Sequence, residues 1–342
     1  SGSTAFPKAI AHKLNAHFAS AHASNSNLPL VASDRWLLTL PLCHVGGLAI
    51  VFRCIAAGAT IVIDSRPSSL REQIASNSIT HVSLVATQLK RLLKRHRGKL
   101  NTLKAVLLGG GAIPSQMVRD AIHNGIPLHT TYGLTEMASQ VTTTHHLTKS
   151  DLPENDASAS FHSGTALPSA EIRIADDGEI LVRGDSLMEG YWRTGQIVSG
   201  DDIGLTPSGW FRTKDKGAFD TNGNLIVLGR IDNMFVSGGE NIHPEEIESC
   251  LLELPNVQQA IVVSIPNTEF GARPVAFVDL GGSAIDESLL HNQLQTRLAK
   301  FKIPDRFVSW PIEANQTGIK PSRHELRTTA INHFAPRRFP TV

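Results

Sequence analysis

A chain of 342 residues, 41% of them hydrophobic, is long enough for two or three domains with cores of their own. Its net charge of +1 supplies no field that would gather nucleic acid or an anionic membrane, so a small-molecule partner is expected. Cys43, Cys54 and Cys250 form no C-x-x-C pair and the 15 histidines show no ligand spacing, which speaks against a disulfide scaffold and a zinc site and makes the cytoplasm the expected compartment.

The chain opens on Ser1-Gly2-Ser3-Thr4-Ala5-Phe6-Pro7-Lys8. Small residues let backbone N–H groups converge on an anion, the hydroxyls add donors, and Lys8 supplies a movable positive charge. This is a candidate triphosphate cradle, although not the Gly-x-x-x-x-Gly-Lys-Ser/Thr loop; a flexible Ser/Gly terminus is the plainer alternative. No signal peptide is visible, and an opening inside a motif suggests that further sequence precedes Ser1.

Strands are expected over Trp36–Leu40, Thr60–Ile63, Ile79–Val85, Leu103–Leu108 and Pro127–Thr131, with helices near Gly47–Ala57, Ser69–Ser76, Thr87–Arg95 and Pro114–Asn124 between them. The apolar run Val45 to Ile63 carries Arg53, which a membrane would admit only at ~2.5 to 3.5 kcal/mol, so a buried helix followed by a strand fits better. Strand-helix alternation implies an α/β fold with a parallel-rich sheet flanked by helices, whose ligands sit beyond the carboxyl ends of the strands. Gly109-Gly110-Gly111 and Tyr132-Gly133-Leu134-Thr135-Glu136 fall there. Tyr132 can stack on a base, Thr135 can donate to a phosphate, and Glu136 can bind Mg²⁺, which takes few carboxylates besides phosphate oxygens and water. The alternative is a capped turn before a helix Met137–Val141.

Polar, unpatterned sequence from His145 to Ser160 marks a boundary, so 1–160 is expected as one α/β part. Asp177-Gly178 and Asn222-Gly223 then turn short strands into hairpins, which suggests a small antiparallel β-barrel over 161–231. Within it Asp215 could accept ribose hydroxyls, against the plain reading of a solvated turn. Arg230 could contact ribose or phosphate, and Asp232 lies where the pattern changes, as a hinge would. From 232 to 342 a separate α+β domain is expected: helix Pro244–Leu254, strands Gln258–Ile265 and Val275–Leu280, helix Glu287–Lys300, strand Arg306–Pro311 and helix Ser322–Phe334. Lys320 sits on the turn before that last helix. Alone it would be an ordinary surface lysine.

Taken together, the segments resemble the adenylate-forming superfamily of acyl-CoA synthetases, luciferases and peptide-synthetase adenylation domains. The likeness runs from Ser1 to Arg323 with the motifs in the family's order: the opening loop, Pro41-Leu42-Cys43-His44, Gly109 to Gly111, Tyr132 to Glu136, Gly178-Glu179-Ile180 with Gly190-Tyr191, Trp210 to Asp215, Gly229 to Asp232, Ser237-Gly238-Gly239-Glu240-Asn241, and Lys320. Ser186 to Arg193, Thr213 to Gly217 and Gly318-Ile319-Lys320 suggest the o-succinylbenzoate:CoA ligase branch of menaquinone biosynthesis. Three residues depart from the superfamily pattern: Ala5 stands for a glycine, Lys214 for the glycine before the ribose-binding aspartate, and Ile319 parts Gly318 from Lys320. The last two agree with that branch. The superfamily also carries a substantial region before the phosphate loop, absent here.

The resemblance implies an AMP-forming ligase: a carboxylate attacks the α-phosphorus of Mg-ATP, and the CoA thiolate then displaces AMP. It implies Lys320 bridging acyl and phosphate oxygens, Glu136 acting through Mg²⁺, and Ser1, Gly2, Ser3, Thr4, Lys8, Gly109, Gly110, Tyr132, Gly133, Thr135, Asp215 and Arg230 around ATP. It further implies Asp232 as the hinge of a rotating C-terminal domain, Ser237, Gly238 and Gly239 at the CoA channel, His44 gating the acyl pocket, and a homodimer. Arg53, a charge in an apolar helix, needs an anion. Asp64 is one candidate, and the unreactive carboxylate of succinylbenzoate is the other, with Ser83 as a further pocket residue. Two alternatives stay open: an aryl-acid adenylating enzyme that loads a carrier protein, and an inactive nucleotide-binding fragment.

Overall fold

The structure, a computed structural model, describes residues 8–66, 68–94, 100–111, 113–152, 161–311 and 322–334. The chain divides into two compact units, one comprising 8–227 and the other beginning at Leu228.

In the first unit a seven-stranded sheet runs, edge to edge, Thr60–Val62, Arg35–Leu37, His81–Leu84, Ala105–Leu108, Leu128–Leu134, Ser139–Thr143 and Thr165–Ala166. The first five are parallel and the last two antiparallel. Every residue of His81–Leu84 and Ala105–Leu108 is buried, as a sheet covered on both faces requires. The helices Val45–Ala57, Leu70–Ser76, Ala86–Lys94 and Ser115–His123 connect the parallel strands, close to where apolar periodicity put them. Leu70–Ser76 starts on a capping box, with Ser69 and Glu72 satisfying each other's backbone N–H groups. Arg35–Leu37 lies between the strands that follow it on either side, so the winding reverses there. In sheets of this kind ligands collect at the carboxyl ends of the strands beside such a reversal, here Arg35–Leu37 and His81–Leu84. Thr39, just past the first, donates to the carbonyl of Ser83 on the second.

The elements that escaped sequence periodicity include a helix and a strand of the first unit. The helix Leu14–Asn27 is built mainly of Ala, Ser, His and Asn with no apolar stripe, and it buries Ala16, Ser20, Ala21, Ala23 and Ser24. Small side chains let it pack closely on Val45–Ala57, with Phe18 edge-on to Phe52 at 5.2 Å between ring centroids. The expected helix Met137–Val141 is absent. A 3-10 turn, Thr135–Met137, is followed by Ala138 and Ser139 at φ of 50° and 131°, and then by the strand Ser139–Thr143. The β-branched run Val141-Thr142-Thr143 favours that strand, where Thr142 and Thr143 sit opposite Tyr132 and Thr131.

This reversal depends on Gly133. A Cβ there would lie 2.1 Å from the Ser139 carbonyl oxygen, so no side chain fits while the two strands stay paired. Gly133→Ala is expected to destabilise the first unit by ~2–3 kcal/mol, read as a lower urea midpoint with unchanged m-value; an unshifted midpoint would contradict the close approach.

Where an antiparallel barrel was expected over 161–231, the strands lie in two antiparallel sheets, one of which also takes in Ala9–Ala11. One runs Leu225–Arg230, Phe211–Phe219, Glu179–Arg183, Glu171–Ile174; the other runs Ala9–Ala11, Gly190–Arg193, Gln196–Val198. Met137, Ile180, Val182, Met188, Tyr191 and Phe211 belong to one apolar cluster between them. A register shift interrupts the pairing of Glu179–Arg183 with Phe211–Phe219, and there Lys214 has φ of 62°. Glycine at that position would carry no Cβ penalty, which explains why Lys214 stood out as a departure. The buried Glu179 carboxylate accepts from the Lys214 N–H at 2.8 Å and pairs with Arg212, which holds the irregular backbone in place.

The second unit is an α+β layer. Strands Gln259–Asn267 and Gly271–Asp279 form a hairpin, with Arg306–Ser309 parallel to the latter. Alternation sends Val262, Ala276 and Val278 to one core with Ile247 and Leu251, and Ile261, Val275 and Phe277 to another with Leu326. Helices Pro244–Glu253, Glu287–Gln295 and Arg323–Phe334 supply these partners, Glu287–Gln295 ending five residues before the expected Lys300. A small hairpin, Phe235–Ser237 with Glu240–Ile242, turns on Gly238 and Gly239, both at positive φ as a two-residue turn of this kind demands. Among the described residues no helix is long and apolar enough to cross a membrane.

Candidate active site

Four of the residues singled out in the sequence meet at the carboxyl end of Leu128–Leu134. The Tyr132 hydroxyl donates to Asp215 Oδ2 at 2.6 Å, across 83 residues of sequence, and both side chains are largely buried. Directly after this strand the chain makes the Thr135–Met137 turn. There the Tyr191 hydroxyl donates to Glu136 Oε1 at 2.7 Å, and the Met188 N–H donates to the Glu136 carbonyl at 2.8 Å. The chain contains only two tyrosines, and each holds one of the two candidate carboxylates.

Lys8 joins this group through strand pairing. Ala9–Ala11 runs antiparallel to Gly190–Arg193, with Ile10 opposite Tyr191, and the Lys8 ammonium lies 5.2 Å from the centroid of the Tyr191 ring. The exit of the opening loop is thereby fixed beside Glu136. His12, one residue past the strand, places Nε2 2.7 Å from the carbonyl oxygen of Thr135. A carbonyl only accepts, so Nε2 carries the proton. Burial lowers the affinity of this imidazole for a second proton, outweighing the Thr135 hydrogen bond and the charge of Glu136.

Arg53 lies deep in the same unit, 1% exposed. Its Nη2 donates to Ser139 Oγ at 3.1 Å, its guanidinium carbon stands 5.4 Å from the Trp36 ring centroid, and Nε has no partner among the described residues. Burial pushes its pKa down to about 10, which still leaves the cation charged at neutral pH. Asp64 is not its counter-ion. That carboxylate is engaged by Arg66 at 2.6 and 2.9 Å and by Asn77 at 2.8 Å. Ser83 is also buried, and its hydroxyl has no partner among the described residues. His44, exposed at the start of Val45–Ala57, and Arg53 two and a half turns along it share one helix. The Gly109 N–H donates to the Leu84 carbonyl, and Gly110 takes φ of 81°.

This arrangement can hold a metal ion as Mg²⁺ prefers to be held. Among the described residues no group of three or more His, Cys, Asp or Glu could hold a metal by itself. Mg²⁺ needs only one or two carboxylates when phosphate oxygens and waters fill its octahedron, and Tyr191 engages only one oxygen of Glu136. Residues of the Thr135–Glu136 turn thus fit the ion through Glu136 Oε2. A cavity of about 400 Å³ lined by His145, His146, His162, Asp220 and Asn224 touches none of these groups.

The AMP-binding enzyme family matches residues 1–192, and the AMP-binding enzyme C-terminal domain matches residues 246–318. The chain belongs to the AMP-binding enzymes. The 2-succinylbenzoate–CoA ligase of Salmonella typhimurium is 42% identical over 328 residues, taking in 96% of this chain and 67% of that enzyme. The o-succinylbenzoate CoA synthetase (MenE) of Bacillus subtilis in complex with the acyl-adenylate intermediate OSB-AMP superposes with a TM-score of 0.79 at 33% identity, over 96% of this chain and 67% of that one. The same synthetase in complex with ATP and magnesium ion gives 0.76 at 34%, over 91% and 65%.

In this AMP-binding enzyme Lys8, Tyr132, Thr135, Glu136 and Asp215 are brought together, while Arg53 reaches the same strand pair through Ser139. Ser1, Gly2, Ser3, Thr4 and Lys320 lie outside the described residues. Arg230, Asp232, Ser237, Gly238 and Gly239 belong to the second unit. Arg230 pairs with Asp232 at 3.3 Å, and buried Ser237 accepts from Arg273 at the same distance. Sequence reasoning gave no role to His12, Trp36 or Tyr191. Tyr191 could have been noticed as one of two tyrosines, in a segment that pairs with the exit of the opening loop.

Proposed function

We propose that the chain catalyses ATP-dependent joining of o-succinylbenzoate to CoA through an acyl-adenylate, as an AMP-forming acid–thiol ligase of menaquinone biosynthesis. One observation carries the substrate: Arg53 is a buried cation without an acidic partner among the described residues, bonded to Ser139 three residues beyond Glu136. A dicarboxylate suits that geometry. One carboxylate is held at Arg53 while the other reaches the nucleotide near the Thr135–Glu136 turn.

Mg²⁺, when bound, neutralises polyphosphate charge so that an anionic carboxylate can approach the α-phosphorus. Glu136 would hold it, with Thr135 and Lys8 adding donors and Ser1, Gly2, Ser3 and Thr4 completing the cradle. Asp215, kept in place by Tyr132, would accept the ribose hydroxyls, with Gly109, Gly110, Gly133 and Arg230 near the nucleotide. Lys320 would serve adenylation, His44 and Ser83 the acyl pocket, and Ser237, Gly238 and Gly239 the CoA channel once the domain turns about Asp232. The reading divides the chain into 1–160, 161–231 and 232–342, with the two antiparallel sheets as halves of the barrel. It places a homodimer in the cytoplasm, acting on small molecules and on neither nucleic acid nor membrane.

Given succinylbenzoate, Mg-ATP and free CoA, the chain is expected to release AMP in step with succinylbenzoyl-CoA. AMP release only with a phosphopantetheinylated carrier protein would favour the carrier-loading alternative. Nucleotide binding with neither release would mark an inactive nucleotide-binding fragment.

A further inference from the structure

The Thr135–Glu136 turn is short, follows a strand and precedes two residues at positive φ, so its backbone has little regular structure to hold it. Contacts from outside help to fix it: Met188 N–H on the Glu136 carbonyl, Tyr191 on the Glu136 carboxylate, and His12 on the Thr135 carbonyl. Tyr191 lies on the strand that pairs with Ala9–Ala11, Met188 two residues before that strand, and His12 immediately after Ala9–Ala11. All three therefore tie the turn to the strand that leaves the opening loop.

We infer that His12 is a positioning residue for Mg²⁺·ATP, locking the Thr135–Glu136 turn to the same strand that carries Lys8. The ring is packed for the purpose. It lies 5.0 Å from the His17 ring, which stacks on Phe52 at 4.7 Å, so the helices Leu14–Asn27 and Val45–Ala57 both back it. The Nδ1 atoms of His12 and His17 are buried without partners among the described residues. The only polar contact of the His12 ring among those residues is with Thr135. A half-buried polar side chain with a buried Nδ1, kept for a single bond to a turn, fits orientation better than bulk stability, because an apolar residue of similar size would fill the space without leaving Nδ1 orphaned.

The inference rests on the nucleotide reading of Thr135 and Glu136, and calorimetric titration of the chain with Mg²⁺·ATP in the absence of acid tests the two separately. His12→Leu is expected to weaken binding ~10-fold, and His12→Gln, whose amide N–H can take the place of Nε2–H, to restore it to within ~2-fold. In EDTA the loss on His12→Leu should be smaller than with Mg²⁺, because Glu136 then has no ion to bind and only the Thr135 donor is misplaced. Should His12→Leu not fold, His12→Asn, with its amide too short to reach the carbonyl, stands in against the same Gln control. Equal losses for the long and short amides, or equal losses with and without Mg²⁺, would overturn the role of His12 while leaving the reading intact. If Glu136→Gln leaves Mg²⁺·ATP affinity unchanged, or the parent chain binds no Mg²⁺·ATP, the nucleotide reading fails and takes this inference with it.

Discussion

Replacing Lys320 with alanine is expected to slow acyl-adenylate formation by ~10²- to 10³-fold, the scale of losing one preorganised charge from a transition state that gathers negative oxygens. Thioester formation from supplied acyl-AMP should be spared, because by then pyrophosphate has left and no polyphosphate charge remains to be neutralised. Lys320 stands three residues before Arg323, so chain length keeps the two within ~11 Å. Arg323 is anchored in the second unit, donating to Glu248 at 2.6 Å and facing Glu245 at 3.5 Å. By sequence Lys320 belongs with the second unit, whereas Glu136 and Thr135 belong to the first. A residue carried by a different unit can serve one half-reaction and be withdrawn for the other. Pyrophosphate release measured beside thioester formation from acyl-AMP checks this, and unchanged pyrophosphate release would sink the assignment.

Arg53→Leu is the second large effect. Apparent affinity for succinylbenzoate should fall ~10- to 100-fold, the worth of a hydrogen bond to a charged group at a buried site, with ATP affinity little changed. Stability should behave in the opposite sense. A lone buried cation costs desolvation energy, and leucine covers Trp36 without that cost, so the thermal midpoint is expected to hold or rise. Together these outcomes separate a substrate contact from a structural ion pair, which would lose stability when its cation is removed. Equal weakening of acid and ATP would rule out the assignment.

The alternation of buried strands with helices was legible in the sequence because each depends on local periodicity. Val82 to Leu84 and Val106 to Leu108 read as strands, and Ser69 with Glu72 reads as a helix start, wherever they occur. Leu14–Asn27 was not legible, since a helix that packs through alanine and serine shows no apolar stripe. Lys214 was visible as an unusual residue, but its left-handed backbone came only with the register shift opposite Glu179.

The sequence alone determined the residue types of the site and their order: hydroxyls and Lys8 at the start, Tyr132 to Glu136 at a strand end, Asp215 among hairpins, and an arginine in an apolar helix. Tertiary structure decided the pairings: Tyr132 with Asp215, Tyr191 with Glu136, His12 with the Thr135 carbonyl, and Arg66 rather than Arg53 with Asp64. The reason is physical. Periodicity records how a residue sits relative to its own element, whereas a hydrogen bond across 83 or 123 residues depends on sheet order and register, which are set by packing over the whole unit.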